Sequence, residues 1–301
     1  MSFIGASRFL LPCSVALSLG SMVLLFYPGP RLSVEFTGGT LMEIQLPEGK
    51  TKDDLSRALT DFAPEGKTLG NISLTSTRDS SVLIRSRALG NEEHRALGEQ
   101  IEKQLGPSPE LQFTTIGPTV GRGLRVRALW AIVVASVAII LYLAFAFRKI
   151  PKRFSPWTFA ISAIIATLHD TLVTLGIFTV ISRFTSFEMD LLFVSGLLSI
   201  IGYSVNDTIV VFDRIRDNLF LDTHREDFSV LAERSLRQTM TRTINTGTGA
   251  LIMLFALFFF GAESIRWFVL TLIIGTIVGT YSSFFVATPL LVYRKARAHH
   301  G

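Results

Sequence analysis

The sequence predicts a multi-span α-helical membrane protein of six transmembrane helices, with a small α+β domain set between the first and second spans. Three observations predict it. Of the 301 residues, 49% are hydrophobic and only 18% are charged, a balance foreign to soluble globules. Six apolar runs are each long enough to cross about 30 Å of hydrocarbon as helices. Residues 29–125, between the first two runs, instead show mixed charge and period-2 patterning.

The runs are Phe9–Tyr27, Ala128–Phe147, Phe154–Ile181, Leu191–Phe212, Thr243–Ala262 and Trp267–Tyr293. The expected organisation is a first span in 1–28, a domain in 29–125, a five-helix region in 126–293 and a tail in 294–301. Within the five-helix region, 213–242 is expected as a loop. The first run has Arg8 as a basic flank, but Pro28-Gly29-Pro30 follows it without a small-x-small cleavage site. It is expected to be a retained anchor rather than a cleaved signal.

In 29–125, Thr37-Gly38-Gly39-Thr40 reads as a tight turn between strands Arg31–Phe36 and Leu41–Leu46. Met42, Ile44 and Leu46 alternate with Glu43 and Gln45. Thr51-Lys52-Asp53-Asp54 opens a helix with a capping-box-like pattern, and Leu55, Leu59 and Phe62 form its apolar face. Strands follow at Asn71–Thr77 and Ser81–Arg87, joined by Arg78-Asp79-Ser80. A helix over Asn91–Leu105 carries Leu97, Ile101 and Leu105 on one stripe, and a last strand runs Glu110–Ile116. An opening hairpin followed by α-β-β-α-β suggests helices on one face of an antiparallel sheet, in the ferredoxin-like style.

Lys and Arg set the orientation. Arg148, Lys149, Lys152 and Arg153 follow the second run, six arginines lie in 213–242, and Arg294, Lys295 and Arg297 end the chain. The opposite loops hold Arg183 and Arg266. Basic segments stay in the cytoplasm, so both termini are expected there and 29–125 outside. The net charge of +5 is thereby a matter of topology, with no nucleic-acid partner implied. Leu231, Leu236 and Met240 could lie on the membrane surface as an apolar stripe, or 213–242 could be a solvated loop with one short helix.

Two runs contain carboxylates, Asp170 (beside His169) in the third and Asp207 in the fourth. An acid in hydrocarbon costs roughly 2.5–3.5 kcal/mol on insertion scales, so it usually has a partner and a purpose. At 100° per residue, Ser195, Gly196, Ser199, Tyr203, Asn206, Asp207 and Arg214 share one sector. Leu192, Leu197, Ile201, Val205, Thr208 and Phe212 lie mainly on the other side and are expected to face lipid. Asp170 shares a sector with Thr167 and Thr174. Arg242, Asn245, Thr246 and Gly249 fall together at the start of the fifth run. Asp207 and Arg242 are thus placed near the same membrane face. An acid in low dielectric holds its proton, and an approaching cation releases it. Movement of Arg242 relative to Asp207 would then switch the acid between loading and release. Each charge crossing gains about 2.3 kcal/mol per 100 mV. A fixed interhelical hydrogen-bonding role is the alternative for each acid.

No G-x-x-x-x-G-K-[ST], G-x-S-x-G or H-E-x-x-H motif is present, so neither an enzyme nor a cofactor is expected. The single cysteine, Cys13, and the absence of a His or Cys at metal-site spacing from His169 leave no metal site expected. Gly275-Thr276-Ile277-Val278-Gly279 is a G-x-x-x-G expected to permit close helix packing.

Several segments resemble the bacterial SecF family. Val34-Glu35-Phe36-Thr37-Gly38-Gly39 resembles its D-F-x-G-G signature, with Glu35 in place of Asp. Ile116-Gly117-Pro118-Thr119-Val120-Gly121 resembles its second-span entry and Leu168-His169-Asp170 its third-span motif. The segment 202–216, running from Gly202-Tyr203-Ser204 through Asn206-Asp207 to Arg216, is close to its fourth-span signature. Arg242-Thr243-Ile244-Asn245-Thr246 matches the opening of its fifth, while Gly247 and Gly249 replace the usual Ser and Thr.

The resemblance implies a proton-motive-force-driven accessory subunit of Sec-dependent protein translocation in the bacterial inner membrane. Its architecture would be related to resistance-nodulation-division transporters, with a periplasmic domain. Implied partners are SecD, the SecYEG channel, YajC, the translocating preprotein and the lipid bilayer. Asp207 and Arg242 correspond to members of the family's proton pathway. Asp170 and Asn206 complete the candidate relay. The alternatives are a proton-coupled exporter of small or lipidic molecules and a passive membrane-protein assembly scaffold.

Overall fold

The computed structural model describes residues 3–60, 62, 68–70, 72–76, 81–151, 154–222 and 226–297. The chain forms two compact units. One contains 31–129 together with Glu188–Asp190, and the other contains the remaining helices.

Among the described residues the smaller unit is built on four strands: β1 (Gly39–Gln45), β2 (Ser73–Ser76), β3 (Ser81–Ser86) and β4 (Glu110–Ile116). The sheet order is β2-β3-β1-β4 and every pairing is antiparallel. Helices α3 (Lys52–Thr60) and α4 (Asn91–Leu105) follow β1 and β3. The period-2 pattern of β1 places Met42 and Ile44 in the core with Val82 and Ile84, and Leu55, Leu59, Leu97, Ile101 and Leu105 pack onto them. The Thr51 N–H and hydroxyl both donate to Asp54 Oδ2, at 3.0 and 2.8 Å, as the capping-box pattern anticipates. The expected turn Arg78-Asp79-Ser80 lies outside the described residues.

One strand is absent. Residues 31–36 do not form the first arm of a hairpin. Val34–Thr37 is instead a one-turn helix, α2, whose N-cap Ser33 accepts from the Glu35 N–H. Ser, Thr, Asp and Asn are strong N-caps, and here that local bond wins over strand extension. Gly38 and Gly39 then reverse the chain at φ +75° and +126°. A Cβ on Gly38 would lie 2.6 Å from Pro118 Cα, so both backbone angle and space demand glycine.

Among the described residues the chain holds six helices long and apolar enough to cross a membrane. They are α1 (Phe3–Phe26), α5 (Pro118–Ala146), α6 (Pro156–Phe184), α7 (Leu191–Leu221), α8 (Phe228–Phe260) and a composite sixth. The sixth runs from a 3-10 turn, Glu263–Ile265, through α9 (Arg266–Ser282) and a π turn, Ser283–Ala287, into α10 (Thr288–Arg297). The protein is a multi-pass membrane protein. Helices α6, α7 and the sixth are buried over half or more of their apolar windows, whereas α1, α5 and α8 are buried over about a tenth. The first three therefore form the centre. Phe147 at the end of α5 stacks on Phe159 of α6 at 5.2 Å, and Phe159 meets Phe212 of α7 edge-on at 5.4 Å.

Two expectations are corrected here. The segment 213–242 is mostly helix, since α7 continues to Leu221 and α8 begins at Phe228. Leu231 and Leu236 do not lie on a membrane surface. They are fully buried in a core shared with Ile215 and Leu219. Hydropathy sees only the apolar centre of each helix, while an amphipathic stripe carries the helix onward. Asn218 Nδ2 donates to Ser235 Oγ at 2.7 Å and helps hold the two extensions together. The second correction concerns the faces of α7. Of the residues expected toward lipid, Leu192 is exposed but Leu197, Ile201, Val205, Thr208 and Phe212 are buried, while Ser195, Ser199, Gly202 and Asn206 are exposed. Lipid is as apolar as leucine, so bulk alone does not send a face outward. Packing fit decides.

Candidate functional site

The site begins with close approach between α7 and α9. A Cβ on Gly275 would lie 2.1 Å from Ile200 Cγ1, and one on Gly196 would lie 3.0 Å from Thr271 Cγ2. Gly279 faces Ser204, whose Cβ would be 3.3 Å from an added Cβ. The glycines thus do what G-x-x-x-G does in membranes, letting two backbones meet. That contact carries a polar run, Thr280 to Ser283, up against the acids of α6 and α7.

Asp170 is fully buried. Its Oδ2 accepts from Ser204 Oγ of α7 and from Ser282 Oγ of α9 at 2.7 Å. Its Oδ1 lies 2.9 Å from His169 Nδ1. Three spans therefore converge on one carboxylate, and both oxygens are engaged. The buried Nε2 of His169 has no hydrogen-bond partner among the described residues. Thr208 and Ser283 hydroxyls lie 3.1 Å apart, just where the π turn begins. Single π turns inside α-helices recur at functional sites.

Asp207, one turn beyond Ser204, is also buried, at 2% exposure. Thr280 Oγ1 donates to its Oδ2 at 3.4 Å, a long and weak bond. Tyr203 and Thr280 approach α8 at Gly247. An added Cβ there would stand 3.2 Å from the Tyr203 hydroxyl and 3.3 Å from Thr280 Oγ1. Glycine at 247 thus leaves room for two hydroxyls beside Asp207, where a larger residue would crowd them. Gly249 faces open space.

The four candidate relay residues are placed differently. Asp170 and Asp207 both reach the polar run of α9. Asn206 is exposed on α7 and Arg242 is exposed on α8. Among the described residues Arg242 forms no ion pair with Asp207. Its carbonyl accepts from Thr246 Oγ1 at 2.9 Å. Sequence reasoning missed Ser204, Thr280, Ser282 and Ser283 as the groups that hold the acids. Their signal was present: four hydroxyl residues in succession, Thr280-Tyr281-Ser282-Ser283, inside an otherwise apolar span directly after Gly279.

Fold and site together define a class, a multi-pass membrane protein in which acids and hydroxyls of three spans meet inside the bundle. Residues 99–297 match the family model described as protein export membrane protein SecD/SecF, C-terminal. The chain is 41% identical over 280 residues to protein translocase subunit SecF of Thermobaculum terrenum, covering 91% of this chain and 87% of that one. It is 36% identical over 294 residues to the SecF subunit of a Synechocystis species, covering 95% and 88%. Protein translocase subunit SecDF of Thermus thermophilus is 31% identical, over 98% of this chain but 39% of that protein. The crystal structure of SecDF, a translocon-associated membrane protein of Thermus thermophilus, superposes with TM-score 0.84 at 31% identity, covering 99% of this chain and 39% of that one. A SecDF structure in a super-membrane-facing form gives 0.70 at 31% identity, covering 100% and 39%. This chain belongs to the SecD/SecF family of protein export membrane proteins.

Proposed function

We propose that this chain is a proton-motive-force-driven accessory subunit of Sec-dependent translocation, working with a SecD partner at the SecYEG channel, with YajC as a further associate. It lies in the bacterial inner membrane with both termini cytoplasmic. The unit 31–129 is its periplasmic domain and engages the emerging preprotein. The β-α-β-β-α-β order with strands in the order 2-3-1-4 supports a ferredoxin-like reading of that domain. Partnership with SecD is supported by the SecDF relatives, in which this chain matches 39% of a longer polypeptide. The exposed Ser195, Ser199 and Asn206 on a helix of membrane length fit a face that a second set of helices covers.

The observation that carries the proton reading is the contrast between the acids. Asp170 is held by hydroxyls from two other spans and by His169. Asp207 is also buried, yet among the described residues its one side-chain partner is Thr280 at 3.4 Å. A carboxylate saturated with donors is fixed in one state, whereas one with a single weak donor can gain and lose a proton at little cost to its surroundings. Asp207 is therefore the principal station. Asp170 is a second station or a structural anchor on the same helix of hydroxyls. Arg242 and Asn206 enter the relay only in a state that brings them to Asp207.

The test is export kinetics in vesicles containing the chain, its partner and the channel. Asp207→Asn abolishes stimulation by a proton gradient while the subunit still assembles. Full stimulation in that variant would overturn the relay and favour a scaffold.

A further inference from the structure

At the end of α5, away from the acids, the bundle carries a cavity of about 440 Å³ lined by Phe145, Ala146, Arg148, Lys149, Arg216, Asp217 and Phe220. That volume is within the range of small-ligand sites, about 300–1,000 Å³. We propose that this cavity binds the headgroup of an anionic phospholipid, with phosphatidylglycerol as the best fit.

Charge comes first. Arg148 and Lys149 form no ion pair among the described residues. Arg216 on the opposite wall is already answered by Asp213 at 2.6 Å and Asp217 at 3.6 Å. The two unpaired cations therefore line an open-sided cavity whose opposite wall already answers its own cation, which leaves Arg148 and Lys149 to an added anion. The Arg148 guanidinium lies over the Phe145 ring at 3.7 Å, which fixes it at the cavity's edge. Asp217 would repel a bare phosphate but accepts hydrogen bonds from hydroxyls. A phosphodiester that ends in glycerol satisfies both walls, with the phosphate on Arg148 and Lys149 and the hydroxyls on Asp217.

Position selects lipid over a soluble anion. The cationic pair directly follows an apolar helix that attaches to the bundle near its end, through Leu143 and Phe147. Above that attachment Val133, Val134, Val137, Leu141 and Tyr142 are exposed, a surface on which acyl chains lie. Phe145 and Phe220, 64% and 58% exposed, flank the cavity at the level where aromatic rings meet headgroups. Basic pockets at helix ends are a known mode of anionic-lipid recognition, each Lys or Arg contributing about fivefold in affinity. The inference does not depend on the proton reading.

The experiment titrates the full chain in detergent micelles with phosphatidylglycerol and counts bound lipid by native mass spectrometry. Phosphatidylcholine and inorganic phosphate serve as separate probes. Arg148→Gln with Lys149→Gln should weaken phosphatidylglycerol binding about tenfold or more. Arg122→Gln with Arg125→Gln removes the same charge from the other end of α5 and should leave binding unchanged. Equal losses in the two double variants would overturn the site in favour of bulk electrostatics. Equal retention of phosphatidylcholine, or full displacement of the lipid by inorganic phosphate, would overturn the lipid assignment.

Discussion

The hydroxyl of Thr280, on α9, donates to the carboxylate of Asp207, on α7, at 3.4 Å. Such a bond adds about 0.5–1.5 kcal/mol when well formed, and at this length it sits at the low end. Thr280→Val keeps the shape and removes the donor. It should leave the unfolding midpoint nearly unchanged while slowing proton-stimulated export several-fold, and Thr280→Ser should restore export. If Thr280→Val exports like the parent, the hydroxyl is a packing group with no part in handling the acid.

Asp170 has a different dependence on its neighbours. Ser204 and Ser282 each donate to the same buried oxygen. Removing either donor leaves a buried acceptor short of a partner, at a cost of about 1–3 kcal/mol. The two serines share one acceptor, so their effects should not add. Ser204→Ala, Ser282→Ala and the double variant, compared by thermal unfolding in detergent, should show the double loss differing from the sum by at least roughly 0.5 kcal/mol. Strict additivity would mean that the two hydroxyls act on independent features.

The α7–α9 contact makes a steric prediction. Gly275→Ala places a methyl group inside the Ile200 side chain. Overpacking of this kind costs about 1–3 kcal/mol. Ile200→Val removes one of the crowding methyl groups, and in combination with Gly275→Ala it should recover part of the loss. Unfolding midpoints of the two single variants and the pair decide it. No recovery in the pair would show that backbone displacement, rather than the Ile200 side chain, limits the fit.

Much of this was legible in the sequence, for identifiable reasons. Long apolar runs announce spans because every backbone polar group must be satisfied inside the helix. Alternation of Met42 and Ile44 with Glu43 and Gln45 announces a half-buried strand. The ends of α7 and α8 were hidden because hydropathy falls where a helix leaves the apolar zone, although Ile215, Leu219, Leu231 and Leu236 keep it packed. Residues 31–36 misled because their composition suits a strand, while the Ser33 cap and the two glycines after Thr37 decide otherwise. The acids themselves were visible as charges in apolar runs. Their holders were not, since Ser282 and Ser204 are two spans apart in sequence and only packing brings them to Asp170.

The last prediction concerns Glu188, outside the spans. Arg85 Nη1 donates to its Oε1 at 2.9 Å, and Arg85 Nη2 donates to the Leu32 carbonyl at 2.7 Å. Despite that partner, burial pushes the Glu188 carboxyl above the ordinary glutamate value of 4.5. Arg85 and Arg31 oppose the shift and Asp190 adds to it. Above pH 4.5 an unfolded glutamate has lost its proton while the folded Glu188 still holds one. The folded state then binds more protons, so stability falls as pH rises from that value through the folded one, and is greatest below it. A half-buried ion pair, with both side chains 26% exposed, gains little from its charge where desolvation offsets the attraction. Glu188→Gln should therefore flatten the downward slope and, at neutral pH, stay within about 1 kcal/mol of the parent, with Arg85 still held by the Leu32 carbonyl. Thermal unfolding of the full chain in detergent across the acid range reads both effects. A loss well above about 1 kcal/mol at neutral pH would instead mean that the Arg85–Glu188 pair is a net tie between β3 and the segment that joins α6 to α7.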